Sequence, residues 1–203
     1  GYNSVLIAAG AHKGRKLPLP GSDLDGVLEC TDVLRDTRLG KPPKLGRRVL
    51  VLGGGDVGFD VARTALRLGA SDVHLACIEA RDSMPASLNE IEAGVAEGVM
   101  VHPSSSFVRM VGEDGHVQGV EFLQVESFRF LPDGRLELET APGTDHVLEC
   151  DTVIFAIGQG VDLNFMSEDS PIGVTPRGTV AADSETMATG RPGIFAAGDA
   201  LTG

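Results

Sequence analysis

Arg48-Val49-Leu50-Val51-Leu52-Gly53-Gly54-Gly55-Asp56-Val57-Gly58 is the stretch that decides the fold. Its first five residues form a short, almost wholly apolar run, as expected of a strand covered on both faces. Gly53, Gly55 and Gly58 then follow the pattern G-x-G-x-x-G. Beyond them Val57, Val61, Ala65 and Leu68 recur at spacings of three and four, which marks one face of a helix. Gly69 stops that helix, and Asp72 to Ile78 reads as the next strand. Strand, glycine turn, helix, strand is a βαβ unit with a parallel pair.

Each glycine has its own physical task in such a turn. Gly53 lets the chain leave the strand sharply. Gly55, without a Cβ, lets a pyrophosphate approach the backbone. Gly58 lets the helix lie close to the sheet, and Ala62, one helical turn later, keeps that contact tight. The free N–H groups and positive end of the helix then face the phosphates. The loop Gly53, Gly54, Gly55, Asp56, Val57, Gly58 therefore reads as a dinucleotide site, because the flanking strand and helix that the motif requires are both present. The competing reading is a glycine-rich turn with no ligand. Glu79 lies 21 residues after Gly58, just past the second strand. A carboxylate there accepts hydrogen bonds from the adenosine ribose and repels a 2′-phosphate; the plainer reading is an exposed loop acid.

Outward from this unit, residues 4–9 read as a buried strand and 11–26 as a loop rich in Pro and Gly. Thr31 is placed to cap a helix from Asp32 to Leu39 that Gly40 ends, and Lys41-Pro42-Pro43-Lys44 is a stiff connector. Ser87-Leu88-Asn89-Glu90 has the form of a capping box for a helix to about Glu97. Val99 to His102 gives a third strand. From Phe107 the texture changes to short runs split by Glu113-Asp114-Gly115 and Pro132-Asp133-Gly134, which predict hairpin turns and an antiparallel meander. Thr152 to Ile157 is again apolar and returns to the parallel sheet. The fold class expected is α/β: a Rossmann-like parallel sheet with helices on both faces, plus a three-stranded antiparallel meander.

The 203 residues suffice for one good core. With 17 Lys and Arg against 29 Asp and Glu the net charge is −12, which disfavours nucleic acid and anionic membrane as partners. No apolar run approaches the roughly 18 residues of a membrane span, and no secretory leader is evident. Cys30, Cys77 and Cys150 stand far apart, without CxxC or metal-ligand spacing, and read as buried reduced thiols of a cytoplasmic protein. The five histidines are scattered, so no catalytic residue and no metal ligand is assigned. Asp60 and Arg63 read as a structural ion pair or interdomain contact on the first helix. Both ends fall on the lip of a strand, which suggests a piece of a longer polypeptide.

The stretch from Gly53 to Ala70 closely resembles the nicotinamide domain of the glutamate synthase small subunit family. So do Met84-Pro85-Ala86-Ser87, the run Ile7 to Arg15, Leu17-Pro18-Leu19-Pro20-Gly21, Ala156-Ile157-Gly158-Gln159 and the run Ile194 to Asp199. The resemblance implies a two-dinucleotide flavoprotein, an oxidoreductase that passes hydride from NAD(P)H to FAD and onward to an iron–sulfur or partner acceptor. It implies that residues 1–203 form one NAD(P)-binding domain carrying strand remnants of a flanking FAD domain at 1–20 and 160–203. It also implies that Ala156, Ile157, Gly158 and Gln159 lie near the nicotinamide end, and that Gly198 and Asp199 belong to a flavin motif. The implied partners are the FAD domain of the same parent chain and an iron–sulfur or catalytic subunit. One departure matters. The family usually places a Tyr or His and two Arg where this chain has Cys77-Ile78-Glu79, and only Arg81 stands nearby. The guanidinium fork suited to a 2′-phosphate is missing, so NADH is expected over NADPH. A dinucleotide-binding or docking module without turnover of its own is the alternative from a different class. A stand-alone dehydrogenase ranks last, because Tyr2 is the only tyrosine and no Tyr-x-x-x-Lys pair exists.

Overall fold

The computed structural model describes residues 1–131, 135–167 and 169–203. In chain order its elements are β1 (Val5–Ile7), β2 (Lys13–Gly14), β3 (Val27–Glu29), α1 (Cys30–Arg38), β4 (Arg48–Leu52), α2 (Asp56–Arg67), β5 (Asp72–Ala76), α3 (Leu88–Glu97), β6 (Met100–His102), β7 (Ser105–Glu113), β8 (His116–Phe130), β9 (Leu136–Thr140), β10 (His146–Glu149), β11 (Thr152–Phe155), β12 (Gln159–Gly160), β13 (Ile194–Ala196) and α4 (Asp199–Thr202). The chain divides into two compact units, Arg15–Ile157 and Gly1–Gly14 with Gly158–Gly203.

The larger unit is built on a five-stranded parallel sheet in the order β3-β11-β4-β5-β6. Strand β4 is fully buried along Val49 to Leu52 because both faces are covered. Val49, Val51, Val73, Leu75 and Ile154 pack with Cys30 and Val33 of α1, Phe59, Val61, Ala62 and Ala65 of α2, and Ile91 of α3. Each such aliphatic side chain removed from water contributes about 1.5–3 kcal/mol. Leu50, Leu52, Ala76, Val153 and Phe155 face the other way and pack with Met110, Val117, Val120 and Phe122 of the antiparallel sheet. The α/β class and its parallel sheet are as expected, but α1, α2 and α3 share one face. The second face carries antiparallel strands where helices were expected. The reason is connectivity: between β6 and β11 the chain makes its crossover through β7 to β10 and no helix.

That antiparallel sheet has four strands, one more than the meander expected from the sequence. Strand β8 runs 15 residues and pairs with β7, β9 and β10, so it is long enough to serve three neighbours. Asp114 (φ +50) and Gly115 (φ +81) make the β7–β8 turn with two positive φ values, the geometry that keeps a tight hairpin twisted. The turn expected at Pro132-Asp133-Gly134 lies outside the described residues.

Local boundaries also shifted. Helix α1 starts at Cys30 with Glu29 as its N-cap, so Thr31 sits inside the first turn and not at the capping position. Strand β5 ends at Ala76, two residues before the expected boundary. Helix α3 matches, and Ser87 Oγ accepts the Glu90 amide at 3.4 Å. The reciprocal half of the box is absent, because the Glu90 carboxylate accepts a hydrogen bond from Arg63 at 2.9 Å instead. Arg63 also donates to Glu97 at 2.7 Å and so ties α2 to α3.

In the smaller unit β1 runs parallel to β13, and β2 pairs antiparallel with β12. Ile7, Val180, Ala196 and Ala200 form its buried apolar cluster. The strand expected to be buried over 4–9 is three residues long, with Val5 and Leu6 exposed at 51% and 60%. Of β1 only Ile7 packs into the small buried cluster of this unit, and among the described residues no layer covers Val5 and Leu6.

Candidate functional site

The site forms at the C-terminal edge of the parallel sheet, where the strand order reverses. From β4 the chain moves one way through α2 to β5, while β11 lies on the other side of β4. Such a switch point opens a crevice beyond the strand ends. Hydrogen bonding continues over the edge: the Gly53 amide donates to the Ala76 carbonyl and the Ala156 amide to that of Leu52, both at 2.8 Å.

The glycines of the loop serve different ends. Gly53 has φ +131, and a Cβ there would lie 2.2 Å from the Ala156 carbonyl oxygen. A Cβ on Gly58 would lie 2.3 Å from the Gly53 carbonyl oxygen, and one on Gly54 would meet Cys77 at 2.8 Å. Packing alone requires those three. Gly55 is unlike them. It has an ordinary extended backbone (φ −88, ψ 174) as N-cap of α2, and a Cβ there would meet nothing within 4 Å. The fold does not need a glycine at 55, so the open space above it is what its missing side chain provides. Among the described residues, no acceptor takes the main-chain N–H of Gly55, Asp56 or Val57. These orphan donors at the positive end of α2 form a cradle that suits a pyrophosphate.

Two neighbours hold the loop. The Ala86 amide donates to the Gly54 carbonyl at 3.1 Å. The Ser87 amide donates to Asp56 Oδ1 at 2.7 Å. Met84 and Ala86 are buried beside them. Met84 to Ser87 thus forms a wall of the loop, a role that spacing did not reveal. The signals in the sequence were the helix start at Ser87 and the family resemblance of Met84-Pro85-Ala86-Ser87.

Glu79 stands at a bend just past β5 and is half-buried. Its carbonyl accepts the Ser104 amide at 2.8 Å, and its carboxylate forms no ion pair among the described residues. Cys77 lies between Glu79 and Gly54. Burial, helped by the Glu79 carboxylate, pushes its thiol up to about 12, so it is an inert packing group. Burial does the same to Cys150, and all three cysteines are free and buried. Arg81 is exposed in a single 3-10 turn. Ala156 is buried at the mouth of the loop, followed by half-buried Ile157. Gly158 (φ +110) and Gln159 belong to the smaller unit, where Gln159 pairs with Gly14. Gly198 (φ +63, ψ −151) and exposed Asp199 also belong there, opening the short α4. A Cβ on Gly198 would meet nothing within 4 Å.

On the face of the parallel sheet away from the helices, His74 Nε2 lies 3.0 Å from Asp72 and its Nδ1 2.7 Å from His102 Nε2. A neutral His74 satisfies both contacts by donating to Asp72 and accepting from His102. Burial, then His74, then His146, holds the His102 pKa below its ordinary value. No group of three or more metal-binding side chains is formed among the described residues. No described helix is long and apolar enough to cross a membrane.

Sheet, switch-point loop and open glycine together define a nucleotide-binding α/β protein. The model of the pyridine nucleotide-disulphide oxidoreductase family matches residues 1–203, and the chain belongs to that family. Along its full length it is 39% identical to the NADP(+)-dependent formate dehydrogenase subunit beta of Moorella thermoacetica, of which it covers 29%. It is 35% identical to a putative glutamate synthase [NADPH] small chain of Cereibacter sphaeroides, again along its full length, covering 51% of that protein. The chain therefore spans about half or less of these relatives. Among solved structures, the T. acidophilum thioredoxin reductase superposes with a TM-score of 0.71 at 21% identity, over 98% of this chain and 58% of that one. The Mycobacterium tuberculosis FprA in complex with NADPH gives 0.72 at 16% identity, over 99% and 59%. These superpositions establish the shared fold.

Proposed function

We propose that this chain is the nicotinamide-dinucleotide-binding part of an FAD-dependent oxidoreductase. The observation that carries the reading is Gly55: a glycine the fold does not demand, facing open space, whose own amide and those of Asp56 and Val57 have no acceptor among the described residues. In this reading the amides of Gly55, Asp56 and Val57 hold the pyrophosphate, while Gly53, Gly54 and Gly58 shape the turn. Glu79 receives the adenosine ribose, with Arg81 exposed beside it. Ala156, Ile157, Gly158 and Gln159 serve the nicotinamide end, and Gly198 and Asp199 serve the flavin of the parent protein. When bound, the cofactors supply the redox chemistry, hydride passing from NAD(P)H to flavin and electrons onward to an iron–sulfur or partner acceptor. The protein's own part is to bind, orient and exclude water, and none of its side chains is required as acid, base or nucleophile.

In this reading residues 1–20 and 160–203 carry strand remnants of a flanking FAD domain; the smaller compact unit, Gly1–Gly14 with Gly158–Gly203, overlaps most of those ranges, while residues 15–20 fall in the larger one. The family membership and the names of the relatives support oxidoreductase activity for the whole protein. The relatives are named for NADP(+) and NADPH, but the carboxylate of Glu79 and the missing guanidinium fork favour NADH in this chain, and tighter binding of NADH is expected. Fluorescence titration with NADH and with NADPH tests both points. Saturable binding that Gly55→Ala weakens is the expected result, and absence of binding to either cofactor overturns the reading.

A further inference from the structure

An acid at Asp56 suits the positive end of α2 but not an arriving phosphate. It occupies the first turn of α2, where the phosphates of a dinucleotide would arrive, and like charges there weaken binding. Its carboxylate has a different task in this structure. Asp56 Oδ1 accepts the Ser87 amide at 2.7 Å, while the Ala86 amide reaches the Gly54 carbonyl at 3.1 Å. These two bonds run from consecutive residues of the wall to residues on either side of Gly55. From the other side Cys77 packs against Gly54. The turn around Gly55 is thus held from the start of α3 and from the end of β5, and its N–H groups are fixed in direction before any ligand arrives.

We infer that Asp56 is a positioning residue: its carboxylate clamps the glycine loop to the Ser87 amide, and its negative charge lowers the affinity for the dinucleotide that the loop receives. The inference rests on the proposed dinucleotide site and adds a role for a residue that spacing alone placed among the cofactor contacts. Clamp and charge are separable. Asn keeps an oxygen at the same place and removes the charge. Ala removes both.

The experiment compares the parent chain with Asp56→Asn and Asp56→Ala. It measures the Kd for NADH and for NADPH at low and high salt, the melting temperature, and the exchange rate of the Ser87 amide. The Asn variant is expected to bind about two- to fivefold more tightly than the parent at low salt, as befits one exposed charge, with the difference shrinking when salt shortens the Debye length below about 5 Å. The Ala variant has the same net charge as Asn, so any difference between them reports the clamp. Binding at least tenfold weaker in Ala than in Asn is expected, with a faster Ser87 amide in Ala. Equal affinities of Asn and Ala overturn the clamp even if both variants fold. An Asn variant that binds no more tightly than the parent at low salt overturns the charge effect. A parent chain that binds no dinucleotide overturns the underlying site, and this inference with it.

Discussion

Alanine at Gly55 and alanine at Gly53 make the sharpest test of the site, because the structure assigns them opposite kinds of damage. At Gly55 the backbone is one that any residue adopts, and the new methyl meets nothing within 4 Å. The unfolded chain loses freedom, which favours the folded state by about 0.4–1 kcal/mol. Ala is a poorer N-cap than Gly by a similar amount, about 0.5–1 kcal/mol. The terms nearly cancel, so stability stays within about 1 kcal/mol of the parent. The same methyl fills the space above the orphan amides. Losing one charge-assisted hydrogen bond to a phosphate costs about 1.5–3 kcal/mol, or roughly 10- to 150-fold in Kd. At Gly53 the methyl would lie 2.2 Å from a buried carbonyl oxygen, with φ at +131. Strain and overpacking each cost about 1–3 kcal/mol, so this variant is destabilised by roughly 2–6 kcal/mol. Urea denaturation with cofactor titration reads both quantities. A Gly55→Ala protein that binds like the parent, or one that is as unstable as Gly53→Ala, refutes the reasoning.

Three further outcomes are expected. Glu79→Gln removes the charge facing the ribose site, so the ratio of NADPH to NADH dissociation constants falls by about two- to fivefold at low salt; an unchanged ratio, or a parent that prefers NADPH, sinks the assignment of Glu79. Gly94→Ala drives a methyl to 2.6 Å from the ring of Phe59, which is fully buried; thermal melts should show a loss of about 1–3 kcal/mol, and an unchanged melting temperature would mean that α2 and α3 separate easily. For His102 the folded pKa lies below the ordinary value, so the folded state binds fewer protons than the unfolded one; stability present above about pH 6.5 is lost as pH falls through the lowered pKa. Urea midpoints measured between about pH 5 and 8 should flatten in His102→Gln, and an identical slope in both proteins contradicts the assignment.

The βαβ unit was legible because its pattern is local. An apolar run buried on both faces at β4, the period of α2 and the glycine turn between them all lie within 48–68. Helix α3 was equally plain from Ser87, whose side chain does cap it. Thr31 misled because Glu29 occupies the extended N-cap position and pairing of β3 with β11 fixes where α1 begins. The face-to-face arrangement was also hidden. An amphipathic helix announces that it has a buried side but not which face of the sheet it covers, so the placement of α1, α2 and α3 together, opposite β7 to β10, came only with the packing.

By itself, then, the sequence determined the parallel α/β unit, the position of the glycine loop and the residue types around it, since these follow from short-range period and from backbone conformations that only glycine adopts freely. Tertiary structure alone decided which glycine is spare. It showed that Ala156 and Cys77 forbid side chains at Gly53 and Gly54 and leave Gly55 free. It also showed that Asp56 spends its carboxylate on an amide 31 residues away. Those contacts join parts of the chain far apart in sequence, and distances of that kind have no signature in local spacing.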